Sequence, residues 1–175
     1  PGLRALDLCC GTGDVAFALA GQGAEVTGLD FSEPMLAVAR KRCTGRGSSN
    51  RQSAISNPQF LQGDAQQIPF PDRSFDIVTV SYGLRNLSSW ERGLSEMWRV
   101  AKPGGRLLVL DFGKPDNAVW RALYFAYLRG FVPVFGKVFC GDGQTYAYIL
   151  ESLKHYPAQR GVAAKMQEMG CRDVR

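Results

Sequence analysis

Apolar residues fall into short runs separated by amphipathic stretches. Leu3 to Leu8 is an apolar strand broken by Asp7, and a turn carrying Gly11 and Gly13 follows it. Small apolar residues from Val15 to Ala20 predict a helix, and Glu25 to Asp30 predicts a second strand that ends on an acid. Met35, Leu36 and Ala39 recur at helical spacing behind a Ser32 cap, with Glu33 and Pro34 in the first turn. Phe60-Leu61 is a brief third strand. Gly63 to Phe70 then reads as a structured loop and Pro71 to Ser74 as a turn. Phe75 to Val80 is continuously apolar apart from Asp76, as buried parallel strands are. Ser88 and Glu91 read as a capping box for a helix with Trp90, Leu94, Met97, Trp98 and Ala101 on its apolar face. Lys102-Pro103-Gly104-Gly105 ends that helix, and Leu107 to Leu110 is the next strand.

Strands and helices alternating in this way predict an α/β fold, a mostly parallel sheet with helices on both faces. Thr44 to Asn57, poor in apolar residues, reads as a flexible loop or insertion and not as a domain boundary. After Asp111 the pattern changes. Asn117 to Phe139 is rich in aromatic residues but is interrupted by Arg121, Arg129, Gly130 and Pro133, which argues against a membrane span. It is either an amphipathic lid or membrane-facing surface, or an ordinary helix packed on the domain. Tyr146 to Tyr156 and Gly161 to Met169 predict two more helices, and Gly170 to Val174 the approach to another strand. Residues 1–175 are expected to form a single domain, with 115–157 a helical substrate-side insertion. The chain begins at Pro1, beside a core strand, and stops in mid-pattern, so a fragment of a longer protein is expected.

Composition narrows the chemistry. With 45% hydrophobic and 21% charged residues in 175, the chain is a soluble globular type. Five scattered cysteines without C-x-x-C, and a single histidine, His155, predict no metal site and no disulfide framework, and fit a reducing, cytoplasmic setting. The net charge is +5, and the one dense basic run, Arg40-Lys41-Arg42, reads as a solvated helix end. The scattered charges give no expectation of nucleic-acid binding.

Four positions fall at the carboxyl ends of successive predicted strands: Gly11 to Gly13, Asp30, Asp64 and Ser81. In an open parallel sheet these ends form one ligand crevice. Asp30 lies seventeen residues after Gly13, where an acid reaches the hydroxyls of a bound ribose. The run Gly11-Thr12-Gly13-Asp14-Val15-Ala16 lacks the third glycine of a dinucleotide turn. Asp14 would oppose a pyrophosphate and suits a ligand carrying an ammonium or sulfonium cation, and Asp7 adds to the acidic character.

Asp7-Leu8-Cys9-Cys10-Gly11-Thr12-Gly13 resembles the first motif of Rossmann-like S-adenosylmethionine methyltransferases. Gly63-Asp64-Ala65 with Ile68-Pro69-Phe70 is similar to their adenine-side loop, and Val100 to Arg106 to the turn before their fifth strand. Gly11 to Asp14, Phe75-Asp76-Ile77, Ser81-Tyr82-Gly83-Leu84-Arg85-Asn86, Leu108 to Phe112 and Tyr146 to Leu153 together resemble the ubiquinone/menaquinone biosynthesis C-methyltransferase family. The resemblance implies C-methylation of a prenylated quinol ring, with S-adenosyl-L-methionine as cofactor. Another small-molecule methyltransferase of this fold, or a non-catalytic cofactor-binding subunit, is the alternative. The resemblance further implies that Thr12 with Gly11 and Gly13 holds the methionine part, Asp30 the ribose, Asp64 and Ala65 the adenine side, and Ser81 the methyl-facing wall, and Asp7 is expected to be a further cofactor-binding residue. Arg85 is expected to stabilise a phenolate, and Asn86 to orient either Arg85 or the hydroxyl. Tyr156 occupies the place of the family's recurring histidine, so His155 receives no role. The resemblance places an N-terminal lid segment and the last strands outside residues 1–175, so the C-terminal strands are truncated. Expected partners are the lipophilic quinol, the membrane surface through peripheral contact, and a homo-oligomer or biosynthetic complex.

Overall fold

The computed structural model describes residues 2–46, 58–140, 151–153 and 156–175. Its backbone groups into two compact units, Pro1–Leu110 and Asp111–Arg175. The first unit carries β1 (Arg4–Leu8), α1 (Asp14–Gly21), β2 (Glu25–Asp30), α2 (Glu33–Arg46), β3 (Gln59–Gln62), β4 (Phe75–Ser81), a 3-10 turn (Leu84–Asn86), α3 (Trp90–Val100) and β5 (Ala101–Leu110). The sheet order is β3-β2-β1-β4-β5, parallel throughout.

This order follows from the connections. The chain moves outward from β1 through β2 to β3, then crosses to β4 on the other side of β1. Right-handed crossovers therefore put α1 and α2 on one face and α3 on the other. On the α1/α2 face, Ala5, Val26 and Phe60 pack with Ala16, Phe17, Ala20, Leu36 and Ala39. Leu94, Met97 and Val100 of α3 are fully buried. The strand order reverses between β1 and β4, the place where open α/β sheets bind ligands.

The β-register determines which side chains share a row. Asp7 stands opposite Gly28 on β2 and Thr79 on β4, and Gly28 stands opposite Phe60 on β3. Gly28 leaves room for Phe60, whose ring lies 2.6 Å from where a Cβ on Gly28 would sit.

Several local expectations shift by a residue or more. Ser89, not Ser88, caps α3, its hydroxyl accepting the Arg92 amide at 3.2 Å. Ser88 donates instead to Gln66 Oε1. Trp98 lies off the buried face of α3, 43% exposed. Thr44, Gly45 and Arg46 continue α2, and residues 47–57 lie outside the described ones. Lys102 to Gly105 do not end in a loop; β5 begins at Ala101, and an irregular register between Phe75 and Ile77 absorbs the Pro-Gly-Gly segment. Lys102 Nζ meets both Asp76 oxygens at 2.9 Å and holds that carboxyl below its ordinary range.

The second unit contains α4 (Ala118–Cys140) and α5 (Ala158–Glu168). Of the predicted helix Tyr146 to Tyr156, Glu151 to Leu153 are helical, and residues 141–150 and 154–155 lie outside the described ones. Gly170 to Val174, the expected approach to a further strand, is turn and bend. Gly170 turns the chain at φ 93. Among the described residues no helix is long and apolar enough to cross a membrane.

Candidate active site

The crevice is built from the loops leaving β1, β2, β3 and β4. After Leu8 the chain turns sharply, with Cys9 at φ 51, Gly11 at φ 53 and Gly13 at φ 87. A Cβ on Gly11 would meet nothing within 4 Å, so this turn offers bare backbone to an open space. Gly13 is different: a Cβ there would lie 2.7 Å from the Phe60 ring, so this glycine lets the turn sit on β3. The Gly13 amide donates to the Cys10 carbonyl at 2.8 Å, and α1 starts at once.

Asp30, at the end of β2, holds the turn from the side. Its Oδ2 accepts the Gly11 amide at 2.7 Å and its Oδ1 accepts the Ser32 amide at 2.8 Å. Each carboxylate oxygen has a second lone pair, so the group can still accept from ligand hydroxyls.

Asp7 is the unusual group. It is 1% exposed, its Oδ1 accepts the Thr79 hydroxyl at 2.7 Å, and among the described residues its Oδ2 has no hydrogen-bond partner. Burial pushes its pKa from 3.8 up to about 6; the Thr79 hydroxyl and the Ala16 amide oppose the rise, and the Asp30 charge adds to it. Burial also pushes the Cys10 thiol well above its ordinary range, so it is unreactive.

The loop after β3 supplies the next wall. Asp64 Oδ1 accepts the Gln66 amide at 2.8 Å, and Ala65 and Ile68 are buried. Arg99 of α3 braces this loop by donating to the Ile68 and Phe70 carbonyls at 2.9 and 2.8 Å, while pairing with Glu96 and Asp72. No sequence signal pointed to Arg99, because its partners are mostly main-chain carbonyls far away in sequence.

At the end of β4, Ser81 pairs with Leu110 and leads to Tyr82 at φ 55. The side chains of Arg85 and Asn86 both turn back to the Tyr82 carbonyl, at 2.7 and 3.2 Å. A Cβ on Gly83 would lie 2.3 Å from that of Cys9, so the β1 and β4 exits interlock at the point where strand order reverses. Asp7, Gly11 to Gly13, Asp30, Asp64, Ala65 and Ser81 thus border one end of the sheet, with Arg85 and Asn86 on the β4 exit.

Two charge readings need correction. Asp14 does not offer an uncompensated charge to a ligand: Arg42 Nη2 donates to its Oδ1 at 2.7 Å. The basic run is not merely solvated either. Arg40 pairs with Glu33 and reaches the Phe60 carbonyl, and Arg42 reaches the Thr12 carbonyl at 2.6 Å. Pairing between residues twenty-eight or more apart has no periodic signature.

The donor set fits S-adenosylmethionine. Asp7 Oδ2 is a buried acceptor with no donor among the described residues, Gly11 exposes backbone to open space, and Asp30 and Asp64 stand at the next two strand ends. Comparisons with known proteins agree. The model of the ubiE/COQ5 methyltransferase family matches residues 1–175. A demethylmenaquinone methyltransferase of Geobacillus kaustophilus is 42% identical over 176 residues, covering 99% of this chain and 72% of the relative. A protein of the same name from Listeria monocytogenes is 40% identical over 177 residues, with the same coverage. Among solved structures, the YcgJ protein from Bacillus subtilis aligns with TM-score 0.61 and 32% identity, covering 73% of this chain and 53% of that one. A SAM-dependent methyltransferase from Aquifex aeolicus aligns with TM-score 0.63 over 98% of this chain and 73% of its own; at 20% identity it supports the fold.

Proposed function

Because the chain belongs to the ubiE/COQ5 methyltransferase family, we propose that it methylates a ring carbon of a prenylated quinol, demethylmenaquinol, in quinone biosynthesis. It is an S-adenosylmethionine-dependent methyltransferase with a Rossmann-like fold. When bound, the cofactor supplies an electrophilic methyl group on a sulfonium centre.

The observation that carries the reading is the buried Asp7 carboxyl, whose Oδ2 makes no hydrogen bond among the described residues, at the point where strand order reverses. Asp7 takes the ammonium of the methionine part, an interaction strengthened by exclusion of water. Gly11 to Gly13 let backbone approach that part closely, with Thr12 between them. Asp30 accepts the ribose hydroxyls while anchoring the Gly11 amide. Asp64 and Ala65 border the adenine, and Ser81 lines the side toward the acceptor.

A quinol ring becomes nucleophilic at carbon when a phenolic proton leaves and charge spreads to the ring. Arg85, pinned through the Tyr82 carbonyl, places a permanent positive charge on the β4 exit and favours the phenolate. Asn86, on the same carbonyl, keeps that loop in register. The test is turnover of demethylmenaquinol against a polyprenyl methoxy-benzoquinol, in wild type, Arg85→Lys and Arg85→Gln. Arg85→Gln is expected to lose rate and to shift its pH profile upward, with Arg85→Lys intermediate. Equal rates in all three would remove Arg85 from the mechanism. Bound cofactor with neither quinol methylated would remove the substrate assignment.

A lipophilic acceptor has to be collected from a bilayer. Trp120, Leu123, Tyr127 and Phe131 of α4 are exposed along one helical face, and Trp120, Leu123, Tyr124 and Tyr127 line a shallow cavity of about 520 Å³. Such a face suits peripheral contact with the membrane interface. Sedimentation with anionic vesicles is expected to fall for Trp120→Ser, and unchanged sedimentation would reject the contact.

A further inference from the structure

We propose that Arg42 is a positioning residue for the cofactor turn, acting through Thr12 and Asp14; this rests on the methyl-donor reading of that turn. Arg42 lies on α2, thirty residues from the turn it reaches. Its Nη1 donates to the Thr12 carbonyl at 2.6 Å, its Nη2 to Asp14 Oδ1 at 2.7 Å, and its guanidinium lies 4.9 Å from the centre of the Phe17 ring.

The Thr12–Gly13 peptide explains why such a tie matters. Gly13 adopts φ 87, and a peptide next to a glycine rotates at little cost, which would turn its carbonyl and amide end for end. Here both ends are held. Arg42 fixes the carbonyl, and the Cys10 carbonyl accepts the Gly13 amide. The same guanidinium compensates Asp14 in the first turn of α1, and Asp14 Oδ2 in turn accepts the Thr12 hydroxyl at 3.3 Å. One planar cation therefore orients the main chain, the first acid and the ring of the helix that leaves the turn. Lysine, a compact point charge without a planar fork, would not span the Thr12 carbonyl, the Asp14 carboxylate and the Phe17 ring together. Asp14, 77% exposed, needs this partner for geometry more than for stability.

The role differs from that of Arg40 two residues earlier, which pairs with Glu33 and the Phe60 carbonyl and does not touch the turn. That difference supplies the control. Amide exchange of the cofactor-free full chain is followed across Gly13 to Phe17 in wild type, Arg42→Met, Arg42→Lys and Arg40→Met. The affinities for S-adenosylmethionine and S-adenosylhomocysteine are measured alongside, with the KM for the donor and kcat. Arg42→Met is expected to exchange about tenfold faster there and to bind both ligands roughly tenfold more weakly, with KM for the donor rising more than kcat falls. Arg42→Lys should recover part of the loss, and Arg40→Met should match wild type across the turn. Unchanged exchange and affinity in Arg42→Met would overturn the role, as would an equal effect of Arg40→Met, which would indicate general loosening of α2. Wild-type protein that binds neither ligand would overturn the donor reading and this role with it. Wild-type binding with undiminished affinity in Arg42→Met overturns this role alone.

Discussion

Replacing Asp7 by asparagine should make the protein more stable near neutral pH while weakening its hold on the cofactor. Asp7 is 1% exposed and its carboxyl titrates at about 6, against 3.8 for the free group, with burial as the main cause. An acid whose folded pKa is raised contributes stability that is complete below its unfolded pKa and is lost as pH rises through the folded one. The difference from 3.8 to about 6 is worth about 3 kcal/mol, of which roughly half disappears between about pH 5 and 7.5. Above that range the folded protein carries the whole cost of a buried, half-satisfied carboxylate. Asparagine keeps the acceptor for the Thr79 hydroxyl and removes the charge. Its amide nitrogen takes the place of an oxygen without a donor, at a cost of about 1 kcal/mol. The net expectation at about pH 7.5 is a gain of about 2 kcal/mol, with the fall between pH 5 and 7.5 flattened. Urea unfolding of both proteins at the two pH values measures it. The window avoids the range in which Asp76 and Glu96, whose pKa values are lowered by Lys102 and Arg99, take up protons. An Asp7→Asn protein no more stable than wild type at pH 7.5, or one with the wild-type pH slope, would refute the reasoning.

Other consequences follow from the same geometry. A cation bound beside Asp7 lowers its pKa, so cofactor binding near pH 6 should release part of a proton and affinity should rise as pH passes through about 6; calorimetry in buffers of different ionisation enthalpy would show it, and a buffer-independent enthalpy would contradict it. Asp30→Ala strips the acceptor from the Gly11 and Ser32 amides and from the ribose, and should weaken S-adenosylhomocysteine by roughly a hundredfold, whereas undiminished binding would remove Asp30 from the site. Gly28→Ala drives a methyl to within 2.6 Å of the Phe60 ring and 2.9 Å of Cys10 Sγ, and should cost about 1–3 kcal/mol in urea unfolding, partly restored by adding Phe60→Leu.

The sheet was legible because its strands carry their own signal. The predicted range Glu25–Asp30 coincides with β2, and Phe75 to Val80 is one residue short of β4. Carboxyl ends of strands in a parallel sheet share one edge, so Gly11 to Gly13, Asp30, Asp64 and Ser81 could be placed together from the sequence. What escaped were interactions without period. Arg42 and Arg99 act on main-chain carbonyls twenty-nine to thirty-one residues away, and a basic run on a helix looks the same whether it is solvated or paired. The cap moved from Ser88 to Ser89 because two adjacent serines offer the same hydroxyl, and only the path of the chain past Gln66 assigns them different partners. Asp14 looks like a free ligand charge in the sequence because its counter-ion lies on another helix.

Ring methylation itself is the decisive measurement. The chain is given S-adenosylmethionine labelled in its methyl group, with demethylmenaquinol kept reduced, and the product is fragmented in the mass spectrometer. The label is expected on a ring carbon of the quinol, in proportion to S-adenosylhomocysteine formed. Label on a quinol oxygen, or no label in the quinol while the cofactor is bound, would contradict C-methylation as the activity of this site.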